Sequence, residues 1–200
     1  MNVCHELKTI LWLPPRTASR SIAPLFHQYN FLNSEYNTHI NGYNNYSHTL
    51  GIPKECEDYE IICTVRNPYS WILSIWHWDN FHEGTAEKDR LSFSQYVENG
   101  VWELTDISKH LLNNNITYPI RYEFIKDDLR RIPWFNYKEI DVNMFLNSNK
   151  NNSENLKRLP ENTLVSDYMA HYTQKEFNTV KNKFLPLFKR FGYIITAVLA

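Results

Sequence analysis

The chain has 200 residues, of which 42% are hydrophobic, 22% charged and 15% aromatic, with a formal net charge of −1. That length suits one α/β domain with a full core and is a tight fit for two, while the near-zero charge argues against a general nucleic-acid binder. No apolar stretch approaches the ~20 residues that span a bilayer. The N-terminus lacks a basic region followed by an apolar one, and Cys4, Cys56 and Cys63 have neither metal-ligand spacing nor an even disulfide count. The expectation is therefore a cytoplasmic protein with reduced thiols, no membrane partner, no nucleic-acid partner and no metal. The 6 Trp and 13 Tyr fill a core or line a cleft for a ring-shaped ligand, and core filling is the better reading residue by residue.

Along the chain, residues 8–13 read as a short buried strand and 19–29 as the helix after it. Ile22, Leu25, Phe26 and Tyr29 fall at i, i+3, i+4 and i+7 on one helix face, and Pro24 lies in or near the first turn, where a missing N–H costs little. Residues 30–51 are polar and rich in Asn and Tyr, with room for one short strand and a loop. Residues 59–65 make a stronger strand, apolar enough to be buried on both faces as parallel strands are. A helix follows from about 69 to 81, with Pro68 at its start and Trp71, Ile75, Trp78 and Phe81 on one face, Ile72 and Trp76 beside it. Helices are expected at 91–100 and 104–113, a strand at 116–123, and a solvated loop at 147–155. The last element, 174–191, carries Phe177, Val180, Phe184, Leu187, Phe188 and Phe191 in helical register, with Pro186 expected to kink or restart it. Strand–loop–helix followed by strand–Arg–helix points to a single α/β domain over 1–200 with a mostly parallel sheet and crossover helices.

Two segments carry candidate chemistry. In Leu13-Pro14-Pro15-Arg16-Thr17-Ala18-Ser19-Arg20-Ser21 an apolar run stops at a double proline, and cations and hydroxyls precede a helix start. Such a turn aims backbone N–H groups and a partial positive charge at an oxyanion, and guanidinium and hydroxyl groups add donors. The bland alternative is an ordinary βα turn with Ser19 or Thr17 capping the helix. The segment is not the usual nucleoside-triphosphate P-loop, since Gly-x-x-x-x-Gly-Lys-Ser/Thr is absent, which counts against a kinase-like reading. In the second segment, Arg66 ends a buried strand, where ligands bind in open α/β sheets, and Ser74 follows two helical turns later; the alternative is an Arg paired with a carboxylate. Two oxyanion sites at consecutive strand ends imply a ligand with two separated phosphate-like groups.

Together these segments, the second being Val65-Arg66-Asn67-Pro68-Tyr69-Ser70-Trp71-Ile72-Leu73-Ser74, resemble the paired signatures of sulfotransferases that use 3′-phosphoadenosine 5′-phosphosulfate (PAPS). The likeness is to the carbohydrate sulfotransferase branch and its microbial or viral relatives. Arg121-Tyr122-Glu123-Phe124-Ile125-Lys126-Asp127-Asp128-Leu129 is similar to that family's Arg-Tyr/Phe-Glu-x-Leu-x-x-Asp segment, and Phe191-Gly192-Tyr193 to its closing residues. The resemblance implies a three-layer, P-loop-like α/β fold and PAPS as co-substrate. It implies Pro15, Arg16, Thr17, Ala18, Ser19, Arg20 and Ser21 around the 5′-phosphosulfate, Arg66 and Ser74 on the 3′-phosphate, and a hydroxyl-bearing glycan or small molecule as acceptor.

Three positions depart from the family pattern: Arg16 replaces Lys, keeping the charge and changing its geometry; Ala18 replaces Gly, which requires a negative φ there; Trp71 stands where a second Arg is common. For the base, His48 in Tyr46-Ser47-His48-Thr49 is preferred for its near-neutral pKa, with His39 next and Glu123 third. The run Trp76-His77-Trp78-Asp79 has one half facing the core by periodicity and another half able to stack on a ring. Two other readings stand beside the sulfotransferase: a P-loop phosphotransferase, and a catalytically silent nucleotide- or glycan-binding module. The acceptor-side stretches 30–45 and 84–89 carry no recognisable code.

Overall fold

A computed structural model describes residues 2–33, 38–39, 52, 54–81, 86–87, 90–99, 102–137, 168 and 170–195. The chain divides into two compact units, Met1–Val65 with Asn115–Glu154, and Arg66–Asn114 with Asn155–Ala200.

The first unit is built on a sheet whose strands are β1 (Asn2–Cys4), β2 (Thr9–Trp12), β3 (Leu32–Asn33), β4 (Thr38–His39), β5 (Glu60–Val65) and β6 (Tyr118–Arg121), in the order β4-β3-β1-β2-β5-β6. β2, β5 and β6 are parallel, with Leu11 opposite Ile62 and Thr64 opposite Ile120. This half matches the expected parallel sheet: β2 and β5 are buried almost throughout, as strands covered on both faces must be. The other half is antiparallel, β1 pairing with both β2 and β3, and β3 with β4. The sequence reading has no β1, because three residues headed by a polar Asn give no period to detect. Asn2 is nevertheless fully buried, and its Nδ2 donates to the Leu11 carbonyl at 2.9 Å, which satisfies the amide that burial would otherwise penalise.

The helix expected over 19–29 divides. α1 spans Ser19–Ile22, and a 3₁₀ helix continues over Ala23–Tyr29. Pro24 has no N–H to give the carbonyl four residues back, so the coil tightens where that bond would form. The expected face survives: Ile22, Leu25 and Phe26 are buried against Leu11, Leu13, Ile62 and Ile120. Phe26 meets Phe31 edge-on at 5.7 Å and Tyr29 meets Trp134 at 5.0 Å, so this part of the aromatic content is core filling. The strand expected over 116–123 is shorter than that. It gives way at Tyr122 to a 3₁₀ turn, Tyr122–Phe124, and then to α2 (Ile125–Leu129).

The second unit is helical among the described residues: α3 (Pro68–Phe81), α4 (Phe93–Glu98), α5 (Trp102–Asn113) and α6 (Gln174–Phe191). Trp71, Ile72 and Ile75 are fully buried, but Trp78 is half-buried and Phe81 is 40% exposed, so the apolar stripe of α3 holds only for its first turns. α4 starts at a capping box, Ser92 with Gln95, and α6 at another, Thr173 with Glu176. α6 is one uninterrupted helix, so of the kink or restart expected at Pro186 the restart does not occur. That proline lies on the exposed side, while Phe177, Val180, Phe184, Leu187, Phe188 and Phe191 are all buried; burial of that face outweighs one missing backbone bond. Arg190 at its end donates to the carbonyls of Leu112 and Asn114, both at 2.6 Å, capping the C-terminus of α5 with a cation. Tyr69 stacks on Phe177 at 4.8 Å, and burial pushes the Tyr69 and Tyr172 hydroxyls above the usual tyrosine range. The loop expected at 147–155 lies outside the described residues. No helix among the described residues is long and apolar enough to cross a membrane.

Candidate functional site

The residues singled out from the sequence form two clusters, one in each unit. The first follows β2. Its backbone is unusual: Arg16 and Ala18 both have φ of 63°, left-handed conformations separated by Thr17. The negative φ that an alanine in place of the family's glycine requires is therefore not met at Ala18. Ala18 occupies the very conformation for which a glycine is the ordinary choice, with ψ of 25°. For a residue with a Cβ this costs roughly 1–2 kcal/mol, and such strain persists only where surrounding contacts over-determine the turn.

Those contacts are visible. The Thr17 hydroxyl donates to the Pro14 carbonyl at 2.6 Å and lies 2.5 Å from the Thr64 hydroxyl on β5. A carbonyl can only accept, so the Thr17 proton goes to Pro14 and Thr64 donates to Thr17. Both threonines are fully buried. On the far side of the turn, the N–H groups of Ser21 and Ile22 donate to the Ala18 carbonyl at 2.9 and 3.0 Å, and α1 starts with Ala18 as its N-cap and no side-chain cap. The capping role considered for Thr17 and Ser19 is thus not the one they play. Thr17 is a buried pin, Ser19 is buried, Pro15, Arg16, Ala18 and Ser21 are half-buried, and Arg20 is exposed. Arg16 and Ala18 are thus left-handed residues on either side of a buried threonine, and turns with left-handed residues are one way backbone N–H groups come to face an anion.

The second cluster is regular. The Asn67 side chain accepts from the Tyr69 N–H at 3.0 Å and its carbonyl from the Trp71 N–H at 2.8 Å. Asn67 is therefore the N-cap of α3 and Pro68 its first residue, both in their preferred positions. The Arg66 Nε donates to the Ser70 hydroxyl at 2.9 Å, and that hydroxyl donates to the Asn67 carbonyl at 3.1 Å. A buried serine thus fixes the near side of the Arg66 guanidinium. The half-buried Ser74 lies one turn beyond Ser70 on the same helix face.

A third arginine ends β6. Arg121 grips Asp128 through Nε and Nη2, both at 2.8 Å, and its own N–H adds a bond at 2.9 Å. The Asp128 side chain is 1% exposed, and the Arg121 guanidinium lies 4.5 Å from the centre of the Phe124 ring. This bidentate latch closes the turn that carries Glu123, a half-buried residue. The structure thereby joins two residues of the Arg121–Leu129 segment whose roles the motif alone leaves blank.

Of the base candidates, His48 lies outside the described residues, and His39 is on β4. Trp76 donates to the Leu91 carbonyl at 2.9 Å and meets Phe93 edge-on at 5.4 Å, so this ring of the Trp76–Asp79 run is packed within the helical unit. Among the described residues no group of three or more His, Cys, Asp and Glu side chains is placed to hold a metal ion. All three cysteines are buried thiols, and burial raises Cys4 and Cys56 above the usual thiol range.

Sequence reasoning missed Thr64, Asn67 and Ser70. An Asn directly before a Pro at a strand–helix junction is a cap signal and makes Asn67 findable. Nothing in the sequence marks Thr64, one residue within an apolar strand. Comparison of the chain with protein-family models, with curated proteins and with solved structures finds no match in any of the three.

Proposed function

We propose that the protein is a PAPS-dependent sulfotransferase, which moves the sulfuryl group to a hydroxyl of a glycan or small-molecule acceptor and releases 3′-phosphoadenosine 5′-phosphate (PAP). The observation that carries this reading is the Arg16–Ala18 turn. It is a strained, left-handed turn after β2, pinned through Thr17 to the neighbouring parallel strand β5. Its donor set fits a phosphosulfate: a half-buried guanidinium, backbone amides and the hydroxyls of Ser19 and Ser21. The mixed α/β architecture, with β2, β5 and β6 parallel, supports the α/β class of this reading, and the three-layer P-loop-like fold and the cytoplasmic setting are part of the proposal.

In this mechanism Arg16 contacts the bridging oxygen and the sulfonate, with Ser19, Arg20, Ser21 and the loop amides on the 5′-phosphate. Pro15 and Ala18 shape the turn and Thr17 anchors it. The family resemblance assigns the 3′-phosphate to Arg66, whose Nε donates to Ser70, and to Ser74. The acceptor oxygen forms a bond to sulfur as the bond from sulfur to the 5′-phosphate oxygen breaks, and the hydroxyl proton passes to a base, His48 in this assignment. Negative charge grows on the departing oxygen, and a fixed cation there stabilises the transition state more than the ground state.

Calorimetric titration with PAP and with ATP, followed by transfer of radiolabelled sulfate from PAPS to a panel of hydroxyl acceptors, tests the proposal. Binding of PAP but not ATP, with label appearing in an acceptor, is the expected result. Binding of ATP alone would move the protein to the phosphotransferases, and PAP binding with no transfer would make it a silent module.

A further inference from the structure

We infer that Thr64 is a positioning residue for the Arg16 loop: its hydroxyl, acting through Thr17, holds the strained turn in the shape that grips the 5′ end of the nucleotide. The inference rests on the reading of that loop as the phosphosulfate grip.

Three observations lead to it. First, the turn contains two residues with a Cβ at φ of 63°, Arg16 and Ala18, a conformation that the isolated segment would leave. Second, Thr17 between them is fully buried and has its hydroxyl 2.6 Å from the Pro14 carbonyl and 2.5 Å from the Thr64 hydroxyl. The contact with Pro14 is local to the loop and moves with it. The contact with Thr64 reaches 47 residues along the chain to a strand fixed on both sides, by β2 and by β6. Of these two contacts of Thr17, the second ties the loop to the sheet. Third, the proton count is closed: Thr64 donates to Thr17 and Thr17 to Pro14, so loss of the Thr64 hydroxyl takes away the one donor the buried Thr17 oxygen accepts from.

Thr64 thus does not touch the ligand and still sets how well the ligand is held. Thr64→Val keeps the shape of the side chain and removes the hydroxyl, and Thr64→Ser keeps the hydroxyl. Adding Ala18→Gly to Thr64→Val removes the strain that the pin must hold, since glycine adopts this φ freely.

PAP affinity by calorimetry, together with hydrogen exchange of the loop amides in the ligand-free protein, tests the inference. PAP binding to Thr64→Val is expected to weaken about tenfold, the size of one buried hydrogen bond. Thr64→Ser should stay within about twofold of the parent, and the Thr64→Val/Ala18→Gly protein should recover part of the loss. Amides of residues 16–22 should exchange faster in Thr64→Val while those of β5 and β6 stay protected. A purely structural threonine would not give this local pattern or the recovery by a glycine on the other element. If the parent protein binds PAP and Thr64→Val binds it equally well, the inference falls. If the parent does not bind PAP, the sulfotransferase reading falls, and the exchange experiment still decides the pin: unchanged loop exchange in Thr64→Val overturns it.

Discussion

The two arginine clusters are built by opposite means. The Arg66 cluster uses standard parts in standard places: a capping Asn, a Pro in the first helical position, and a serine one turn in that fixes the arginine. Each part lowers the local free energy, and the segment tends toward that shape by itself. The Arg16 cluster works against local preference. Its helix begins without a side-chain cap, two of its residues are left-handed without being glycine, and its shape depends on a buried hydroxyl contact with another strand. A segment that holds an unfavourable conformation by tertiary contacts is where function is expected to sit; a segment that is locally content can serve as a support.

The largest effect that would sharpen this contrast is on turnover. Arg16→Ala is expected to lower sulfuryl transfer by about 10²–10³-fold, the loss seen when one positioned donor to a developing oxyanion is removed, while the denaturation midpoint stays near that of the parent. Near-normal transfer in that variant would take Arg16 out of the mechanism. Next is Asn67→Ala, which removes the side-chain cap of α3 and should cost about 1 kcal/mol of stability in chemical denaturation; no loss would mean that the second cluster is not held by its cap. The smallest is Ala18→Gly. Relief of the left-handed Cβ, roughly 1–2 kcal/mol, is offset by the greater freedom of glycine in the unfolded chain, roughly 0.5–1 kcal/mol. A net gain of about 0.5–1 kcal/mol is expected by the same denaturation measurement. A loss instead would show that Ala18 is not strained in solution, and the two clusters would be more alike than their backbones indicate.

Much of the molecule could be read from the chain. β2 and β5 announce themselves as apolar runs, and α3 and α6 by apolar residues at helical spacing with cap residues at their starts, although the stripe of α3 holds only for its first turns. β1 could not be read, since a buried Asn looks like a surface residue until its partner, the Leu11 carbonyl, is known. The division of 19–29 into α1 and a 3₁₀ helix turns on one missing N–H at Pro24, whose effect on a helix so near its start is small enough for either outcome.

The sequence alone determined which residues gather at the two turns, their charge, and their order after two strands, because composition and spacing are local properties. Only the tertiary structure decided the conformation of the first turn. The sign of φ at Ala18 is set by Thr64 and the sheet behind it, a contact between residues 47 apart that leaves no trace in either segment. Local preference favours a negative φ at an alanine; the turn on which the proposed chemistry depends is left-handed and has no side-chain cap, with a buried pair of hydroxyls behind it.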